Sequence, residues 1–499
     1  MASSSLKKLV GQTAVYGLSS IIGRFLNYLL VPLYTYKIAA ESGGYGVVTN
    51  LYAYTALLLV ILTFGMETTF FRFANKDGVD ENRAFSTAAL FVGALSLLFV
   101  AVCTAFLPAI SHALHYDAHP EFVEIMAIIV GLDAFQAIFF SRLRQQNRAI
   151  KFATLKLSFI FLNIALNLFI FLLAPILVEQ MPSLMSWYHI EYQVGYIFII
   201  NLLCTALITL GFIPEMKALR LGIDKPMLKE MLRYAWPLLL LGLVGILNQV
   251  ADKICYRFIV PGREGEVQLG IYGACVKIAM IMAMITQAFR YAYEPFVFSG
   301  QKDKSSGENQ AIVMKYFVKF TLLAFLAVMA YMDILKFIIK SDYWDGLRAV
   351  PIVMMAEIFM GIYFNLSFWY KLTDQTWWGA VMSGIGCAVL LAINFIFVPY
   401  YGYMACAWGG FAGYGVCMLL SFFIGQKKAY VPYEVKSILT YFVMALGLYA
   451  MMFFLAPENV WLRIGLNTVF FMLYVGLILY EERNLLHKIV DALNRKLKR

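Results

Sequence analysis

Charged residues are scarce in this chain, and the polar connections between its apolar segments are short. Only 14% of the 499 residues are Asp, Glu, Lys or Arg, whereas 62% are hydrophobic, and the mean hydropathy is +0.74. Soluble domains carry about a quarter charged residues, so this composition excludes a soluble globular protein. No connection is long enough to hold a folded soluble domain. The composition therefore predicts an integral membrane protein.

The motifs of several enzyme and metal-binding classes are absent as well. The seven cysteines have no CxxC or other paired spacing, which argues against a disulfide framework or a metal centre. His112, His115 and His119, with Asp117 and Glu121, are predicted to form a solvated polar loop rather than a zinc site. No GxxxxGK(S/T) phosphate loop, GxSxG or HExxH motif occurs. We expect no catalytic residue, metal or organic cofactor.

Fourteen apolar segments are long enough to cross a bilayer as helices, for which about 20 residues are needed. They are continuous rather than alternating, which excludes a transmembrane barrel and predicts an all-α fold. The predicted spans are approximately residues 10–37, 45–71, 84–110, 121–141, 153–178, 191–214, 233–259, 268–297, 312–338, 348–370, 376–398, 402–424, 437–456 and 460–480.

Basic residues lie mainly on one side of the predicted membrane. The side of the termini carries 28 Lys and Arg residues between spans, and the other side carries seven. This bias predicts that both termini are cytoplasmic, and it accounts for the net charge of +10 without a nucleic-acid partner. The tail, residues 481–499, is predicted either as a basic amphipathic helix on the membrane surface or as a solvated segment.

An internal repeat indicates how the spans are organised. Residues 43–71 recur without gaps as residues 270–298. Because both copies cross in the same direction, the halves are expected to be related by an axis along the membrane normal, as in some transporters. The predicted organisation is an N-terminal lobe (1–214), a cytoplasmic linker (215–232), a C-terminal lobe (233–424), two further spans (425–480) and the tail. The identities are Gly43/Gly270, Tyr45/Tyr272, Gly46/Gly273, Ala56/Ala283, Glu67/Glu294 and Phe71/Phe298.

Four basic residues inside the spans are the first candidates for a functional site. A charge at the bilayer centre costs about 2.5–3.5 kcal/mol on insertion scales, so each must face protein or water. The candidates are Arg24, Lys253, Lys277 and Arg290. Lys253 follows Asp252, and Arg290 lies one turn before Glu294, so these could be neutralising pairs, and Arg290 could also extend to the membrane surface. Arg24 and Lys277 have no acid within one helical turn, so their counter-charge is on another helix or on a ligand.

Acidic residues inside the spans form a second group. They could bind protons or sodium ions and couple an ion gradient to transport. The candidates are Glu67, Asp133, Asp252, Glu294 and Glu357. Glu67 and Glu294 occupy matching repeat positions, a placement that would equally suit structural contacts to Arg72 and Arg290.

Short runs in spans one, two, seven and eight carry a family resemblance. They are Ile22-Gly23-Arg24-Phe25-Leu26, Val31-Pro32-Leu33, Tyr45-Gly46-Val47, Phe64-Gly65-Met66-Glu67-Thr68-Thr69-Phe70-Phe71-Arg72-Phe73, Asp252-Lys253, Leu269-Gly270-Ile271-Tyr272-Gly273, Lys277-Ile278-Ala279 and Glu294-Pro295-Phe296. The chain resembles the polysaccharide-transporter branch of the multidrug/oligosaccharidyl-lipid/polysaccharide (MOP) exporter superfamily. Lys253 stands where an arginine is more usual in that branch.

The resemblance implies an architecture and an activity. Two six-helix lobes would surround a central cavity, two C-terminal helices would be added, and alternating access would move a lipid-linked oligosaccharide to the outer leaflet. Arg24, Lys253 and Lys277 would contact the pyrophosphate, and an arginine of span one does so in related lipid II flippases. The polar side chains expected to line the cavity and meet sugar hydroxyls are Asn27, Asn50, Tyr54 and Gln249.

The leading hypothesis is a flippase, not an enzyme, for undecaprenyl-pyrophosphate-linked glycans of lipopolysaccharide O-antigen, capsule or exopolysaccharide. The expected partners are the lipid-linked oligosaccharide, membrane lipids and polysaccharide assembly proteins, in a bacterial cytoplasmic membrane. A lipid II flippase is the nearest alternative. A drug antiporter is disfavoured because a cationic cavity repels cationic drugs, and a membrane glycan polymerase or ligase is disfavoured because the outer loops are short.

Overall fold

The computed structural model describes residues 26, 28–183, 185–220, 222–299, 306–373 and 375–483. Within this part of the chain the regular secondary structure is helical, and no strand occurs. Arg24, Asn27 and most of the predicted tail, residues 484–499, lie outside the described residues.

Twenty α-helices occur in the described part of the chain. The first ten are α1 Leu30–Lys37, α2 Gly44–Thr63, α3 Met66–Ala74, α4 Glu81–Ala105, α5 Leu107–Ala113, α6 Pro120–Gln145, α7 Ala149–Leu168, α8 Ala174–Gln180, α9 Gln193–Leu210 and α10 Ile213–Met216. The others are α11 Lys225–Ile259, α12 Gly262–Ser299, α13 Ser306–Ala330, α14 Met332–Leu335, α15 Val350–Leu366, α16 Phe368–Leu372, α17 Trp377–Tyr401, α18 Tyr403–Lys428, α19 Val435–Phe454 and α20 Val460–Glu481. A π-helical turn, Phe169–Leu173, joins α7 to α8.

Thirteen helical segments of the described chain are long and apolar enough to cross a membrane. They are Gly44–Ala74, Glu81–Ala105, Pro120–Gln145, Ala149–Gln180, Ile190–Leu210, Lys225–Ile259, Gly262–Tyr291, Gly307–Ala330, Ser341–Leu372, Trp377–Tyr401, Tyr403–Lys428, Val435–Phe454 and Val460–Glu481. Each overlaps one of the predicted spans two to fourteen, and α1 covers the end of the first. The predicted all-α multi-pass membrane fold is confirmed.

The chain forms two compact units. The first contains the described residues up to Lys277 together with Gly379–Gly413. The second contains Ile278–Trp378 and the described residues from Tyr414 onward. The lobe boundaries expected from the sequence, 1–214 and 233–424, stay a prediction.

Within the first unit, ion pairs hold the connection before α11 to earlier parts of the chain. Glu215 is 4% exposed and lies 2.6 Å from both Arg148 and Lys151. Burial alone would raise the pKa of Glu215, but the hydrogen bond and charge of Lys151 hold it below its usual value. Arg220 pairs with Asp80 at 2.5 Å. The predicted linker is therefore part of the first unit, and its residues 225–232 already belong to α11.

The second predicted span is interrupted where the sequence has Phe64-Gly65. Both residues have left-handed backbone conformations, with φ of 51° and 67°, and they separate α2 from α3. A Cβ at Gly65 would lie 3.2 Å from the carbonyl oxygen of Ala235, so glycine also permits α11 to approach closely. The matching part of the second repeat copy lies inside the uninterrupted helix α12.

The two repeat copies meet at their glycines. A Cβ on Gly46 would lie only 1.9 Å from the carbonyl oxygen of Glu266, and one on Gly270 would lie 2.9 Å from the backbone nitrogen of Gly46. A Cβ on Gly273 would lie 2.4 Å from Oγ1 of Thr49. The backbones of α2 and α12 therefore touch near the ends where both helices begin, and only glycine fits there.

Ion pairs hold the last span, α20, against α13 at one end and against α14 at the other. Lys319, 2% exposed, lies 3.3 Å from Glu481 and 2.5 Å from Glu482. At the opposite end Arg463 forms a two-pronged contact with Asp333, at 2.5 and 2.7 Å. Burial alone would raise the pKa of Glu482 and that of Asp333, but the hydrogen bonds from Lys319 and Arg463 hold both pKa values below their usual ranges.

We expect Gly46→Ala to destabilise the protein even though alanine favours helices over glycine by about 1 kcal/mol. The added methyl group would overlap the Glu266 carbonyl, and overpacking of this kind costs about 1–3 kcal/mol. The midpoint of thermal unfolding in detergent should fall. Gly447→Ala is the control, because a Cβ there meets no atom within 4 Å. A Gly46→Ala protein as stable as the wild type would contradict the close contact.

Lys319→Met should lower the free energy of unfolding by about 2 kcal/mol near neutral pH, below the 3–5 kcal/mol of fully buried pairs because the glutamates are partly exposed. Because the pKa of Glu482 is depressed in the folded state, its contribution is present above the usual glutamate pKa and is lost as the pH falls through the folded value. The gap between the two proteins should therefore narrow in acid. A gap independent of pH, measured by thermal unfolding, would contradict the ion pair.

Candidate functional site

Lys253 is neutralised by its neighbour in α11. Its Nζ lies 2.9 Å from each carboxylate oxygen of Asp252 and donates to the backbone oxygen of Gln249 at 3.0 Å. The hydroxyl of Tyr272, in α12, donates to Asp252 at 3.0 Å. Asp252 is 6% exposed, so this charge is buried together with its counter-ion. The sequence left open whether Lys253 and Asp252 form a neutralising pair, and in the structure they do.

Asn50 joins three segments of the first unit. Its amide nitrogen donates to the backbone oxygen of Lys253 at 2.7 Å, and its amide oxygen accepts from the hydroxyl of Tyr116 at 2.8 Å. Asn50 is 1% exposed. Both ends of the amide are therefore occupied by protein groups, and in this conformation Asn50 positions α11 against α2.

Lys277 is the uncompensated cation beside this pair. It is partly exposed on α12, and among the described residues it forms no ion pair or hydrogen bond. The charged side chain that interacts with it electrostatically is another cation, Lys253. With Asp252 counted, the three side chains carry a net charge of +1. The sequence shows no acid within one helical turn of Lys277, and among the described residues no acid forms an ion pair with it in space either.

Arg257 forms a contact that the sequence analysis did not anticipate. It is 5% exposed, donates to the backbone oxygen of His115 at 2.6 Å, and pairs with Glu266. Its guanidinium lies 3.8 Å from the centre of the Tyr116 ring. Glu266 is also the residue that Gly46 touches. These contacts join α2, the connection before α6, α11 and α12 on their predicted outer side.

Glu67 pairs with a residue far along the chain. Arg144, in α6, lies 3.1 Å from Glu67, and Ser141 donates to the same carboxylate at 3.3 Å. Arg72, considered as the partner from the sequence, instead lies 4.1 Å from the centre of the Tyr234 ring. The predicted Arg72 contact is absent because α3 turns Glu67 towards α6.

The second repeat copy contains the equivalent ion pair. Glu294 lies 3.7 Å from Lys371 and 3.6 Å from Arg290. Glu67 and Arg144 are 77 positions apart, and Glu294 and Lys371 have the same separation. The displacement of 227 residues that relates Glu67 to Glu294 therefore also relates Arg144 to Lys371. The repeat extends well beyond the segment in which sequence identity is visible.

The remaining candidate residues from the sequence differ in how deeply they are buried. Asp133 is partly buried in α6, where Thr205 is 3.5 Å away, and Glu357 is partly buried in α15. Tyr54 is partly buried near Cys255 and Arg257, whereas Gln249 is exposed on α11. Lys156, which lines a cavity with Asp133, was not singled out from the sequence. It lies inside the predicted span 153–178, and that position was the missed signal.

The histidine loop forms pairwise contacts rather than a cluster. His112 contacts Asp117 at 2.8 Å, and His119 contacts Glu121 at 2.9 Å. Among the described residues no group of three or more His, Cys, Asp or Glu side chains is arranged to hold a metal ion.

Comparison with solved structures defines the class of the fold. A structure of "Lipid II flippase MurJ" in an inward closed conformation is similar, with a TM-score of 0.69 and 14% identity over 93% of this chain and 98% of that one. An inward-facing MATE multidrug transporter of the MOP superfamily has a TM-score of 0.63 and 14% identity, over 81% of this chain and 93% of that one. An outward-facing MATE transporter of the same superfamily has a TM-score of 0.54 and 15% identity, over 83% and 94%. The fold is that of the MOP superfamily of membrane transporters.

The family follows from sequence. A family model described as "Polysaccharide biosynthesis protein" matches residues 9–295, more than half of the chain. No curated protein sequence gives a significant match. The chain belongs to the polysaccharide biosynthesis protein family, and the resemblance noted in its first, second, seventh and eighth spans is confirmed.

The equivalent pairs Glu67–Arg144 and Glu294–Lys371 should each contribute modestly to stability. Their side chains are 25–40% exposed, and ion pairs of that exposure contribute about 0.2–1 kcal/mol. In a double-mutant cycle with Glu67→Gln and Arg144→Gln, followed by thermal unfolding, we expect a coupling energy in this range. The cycle on Glu294 and Lys371 should give a similar value. A zero coupling energy in both cycles would contradict a shared structural role.

Proposed function

We propose that this protein is a flippase for an anionic, lipid-linked glycan, specifically an undecaprenyl-pyrophosphate-linked oligosaccharide. It would move the glycan from the inner to the outer leaflet of a bacterial cytoplasmic membrane by alternating access. The glycan would then enter O-antigen, capsule or exopolysaccharide assembly, in contact with the proteins of that assembly. Both termini would be cytoplasmic.

The observation that carries this proposal is the uncompensated ammonium of Lys277. A lysine inside a span is costly unless it is paired or faces water, and this one has no acid partner among the described residues. The match to a polysaccharide biosynthesis family supports a glycan ligand, and the undecaprenyl-linked glycan proposed here would bear an anionic pyrophosphate. A phosphate oxygen would supply the missing counter-charge through a charge-assisted hydrogen bond.

Lys253 and Asp252 have a different role in this proposal. Since the ammonium of Lys253 already contacts both oxygens of Asp252, it reaches the pyrophosphate only if that pair opens. Tyr54 and Gln249 would then meet sugar hydroxyls, and Asn50 would keep α2 and α11 in register. Arg24 and Asn27 remain candidates from the sequence.

A lipid II flippase is the second candidate function. The observation that favours it is the similarity in fold to a protein described as a lipid II flippase. Lipid II also carries a pyrophosphate, so Lys277 would serve either substrate. Depletion distinguishes the two, because loss of a peptidoglycan precursor flippase would kill the cell with precursor accumulation, whereas loss of a surface-glycan flippase would remove only the surface glycan.

Lys277→Ala is expected to reduce surface glycan by about tenfold or more in a strain that lacks the chromosomal gene. A hydrogen bond to a charged group contributes about 1.5–3 kcal/mol, and 1.4 kcal/mol corresponds to a factor of ten in binding. The measurement is glycan staining at the cell surface, with quantification of lipid-linked intermediates in the membrane. Lys277→Arg should retain part of the activity because it keeps the charge.

Lys217→Ala is the matched control, since Lys217 is exposed in the connection before α11. Membrane abundance of each variant is measured by immunoblotting. Normal surface glycan in the Lys277→Ala strain, at normal abundance, would overturn the phosphate-contact role. Purified protein that joined lipid-linked repeats in vitro would instead indicate a polymerase.

A further inference from the structure

A cavity in the first unit contains charges that the proposed substrate contacts leave unused. It has a volume of about 350 Å³, and we call it the first-repeat cavity. Helices α2, α3, α6, α7 and α9 contribute its walls. Its lining residues include Glu67, Asp133, Gln136, Phe140, Arg144 and Lys156.

Two of its four charged side chains have a structural role. Glu67 and Arg144 form an ion pair with each other, and the second repeat copy retains an equivalent pair in Glu294 and Lys371. A contact that recurs at matching positions in both copies is required by the shared architecture. It does not identify a function specific to this cavity.

The other two charges are specific to the first copy. At the displacement of 227 residues, Asp133 and Lys156 correspond to Met360 and Ser383, so the second copy has neither charge at these positions. The fold can therefore be built without them. An ionisable residue retained within a span, although the architecture does not need it, indicates a functional role.

Neither side chain has an ion-pair partner among the described residues. Asp133 lies near the middle of α6, and Thr205 is its polar neighbour at 3.5 Å. The ammonium of Lys156 lies 4.1 Å from the centre of the Phe140 ring and remains exposed. Asp133 and Lys156 interact electrostatically across the cavity without direct contact. The carboxylate is thus accessible from the cavity and has a cation nearby.

The surroundings of Asp133 favour a proton over a metal ion as the ligand. A sodium ion would need several oxygen ligands, and the ammonium of Lys156 in the same cavity repels it. The amide nitrogen of Gln136 is already committed to the backbone of Thr205 and to the hydroxyl of Thr209. The titratable or charged side chains that reach this region are Tyr52 from α2, Glu67 from α3, Lys156 from α7, Cys204 from α9, and Arg144 on α6 itself.

We propose that the first-repeat cavity is a proton-binding site in which Asp133 takes up the proton and Lys156 is its internal counter-ion. Binding converts the carboxylate to a carboxylic acid, so the net charge of the two side chains rises from zero to +1. Lys156 then loses its counter-charge, which alters the balance of forces between α6 and α7. Coupling of this change to glycan movement rests on the flippase function proposed above.

Proton binding can be measured without any transport substrate. Infrared difference spectra of the purified full-length protein, between acidic and neutral pH, report the carboxylic acid of Asp133. The Asp133→Asn protein should lack one carboxyl band. In Lys156→Met the band should persist to higher pH, because the charged carboxylate has lost its cation. Glu124→Gln, which removes another acid of α6, is the control and should leave both features unchanged.

Coupling is tested in proteoliposomes with a fluorescent undecaprenyl-pyrophosphate-linked disaccharide as the probe. If one proton is exchanged for each probe molecule, a gradient of one pH unit can concentrate the probe at most tenfold. Wild type and Glu124→Gln should concentrate the probe on the acidic side, up to that limit. Asp133→Asn should either distribute the probe equally between the two sides or fail to move it. In neither case should the pH gradient change the result.

The possible outcomes distinguish the proton-binding site from the proposed flippase function. An Asp133→Asn protein that still concentrates the probe, or that retains every carboxyl band, would overturn the inference. A wild type that responds to a sodium gradient instead of a pH gradient would also overturn it. If the wild type never moves the probe but the Asp133 band is present and shifts in Lys156→Met, the proton site stands and the proposed substrate is wrong.

Discussion

The energetic cost of a charge inside a bilayer governs how the polar groups of this protein are arranged. Each such charge must be paired, face water or await a ligand, because hydrocarbon offers no compensation. Lys319 and Lys253 satisfy the requirement through carboxylates at 2.5–3.3 Å. Lys277 and Asp133 have no ion pair among the described residues. The paired charges hold helices together, and the unpaired ones are those to which we assign ligands.

The internal repeat provides a second, independent criterion. Charges retained in both copies, such as Glu67–Arg144 and Glu294–Lys371, belong to the common framework. Lys277, which replaces Asn50, and Asp133, which is replaced by Met360, break the symmetry. The two criteria select the same kind of residue. The repeat thus provides a framework shared by its two copies, and the residues that differ between the copies are those to which we assign the anionic substrate and the proton.

The spans were predictable because length and hydropathy are local properties of the chain. The positions of the helix ends were less predictable. Helix α11 begins at Lys225 rather than at residue 233, because its first turns are polar. Asp224 caps it by accepting a hydrogen bond from the backbone nitrogen of Met227. The long-range polar contacts could not be predicted. Arg144 is one of many basic residues on the predicted inner side, and nothing in the sequence distinguishes it from the others. Tyr116, whose hydroxyl donates to the amide oxygen of Asn50, lies in a connection between helices. These contacts depend on how helices pack, which no local pattern specifies.

The glycine contact between α2 and α12 determines how easily these helices can part. Because the touching surfaces are backbone and glycine, little side-chain hydrocarbon is interlocked between them. Separating them at these glycines breaks mainly contacts of backbone atoms, and the ion pair of Arg257 with Glu266, which joins α11 to α12, can stay intact. The alternating access that we propose would require α2 and α12 to move at this contact, where backbone atoms rather than long side chains meet.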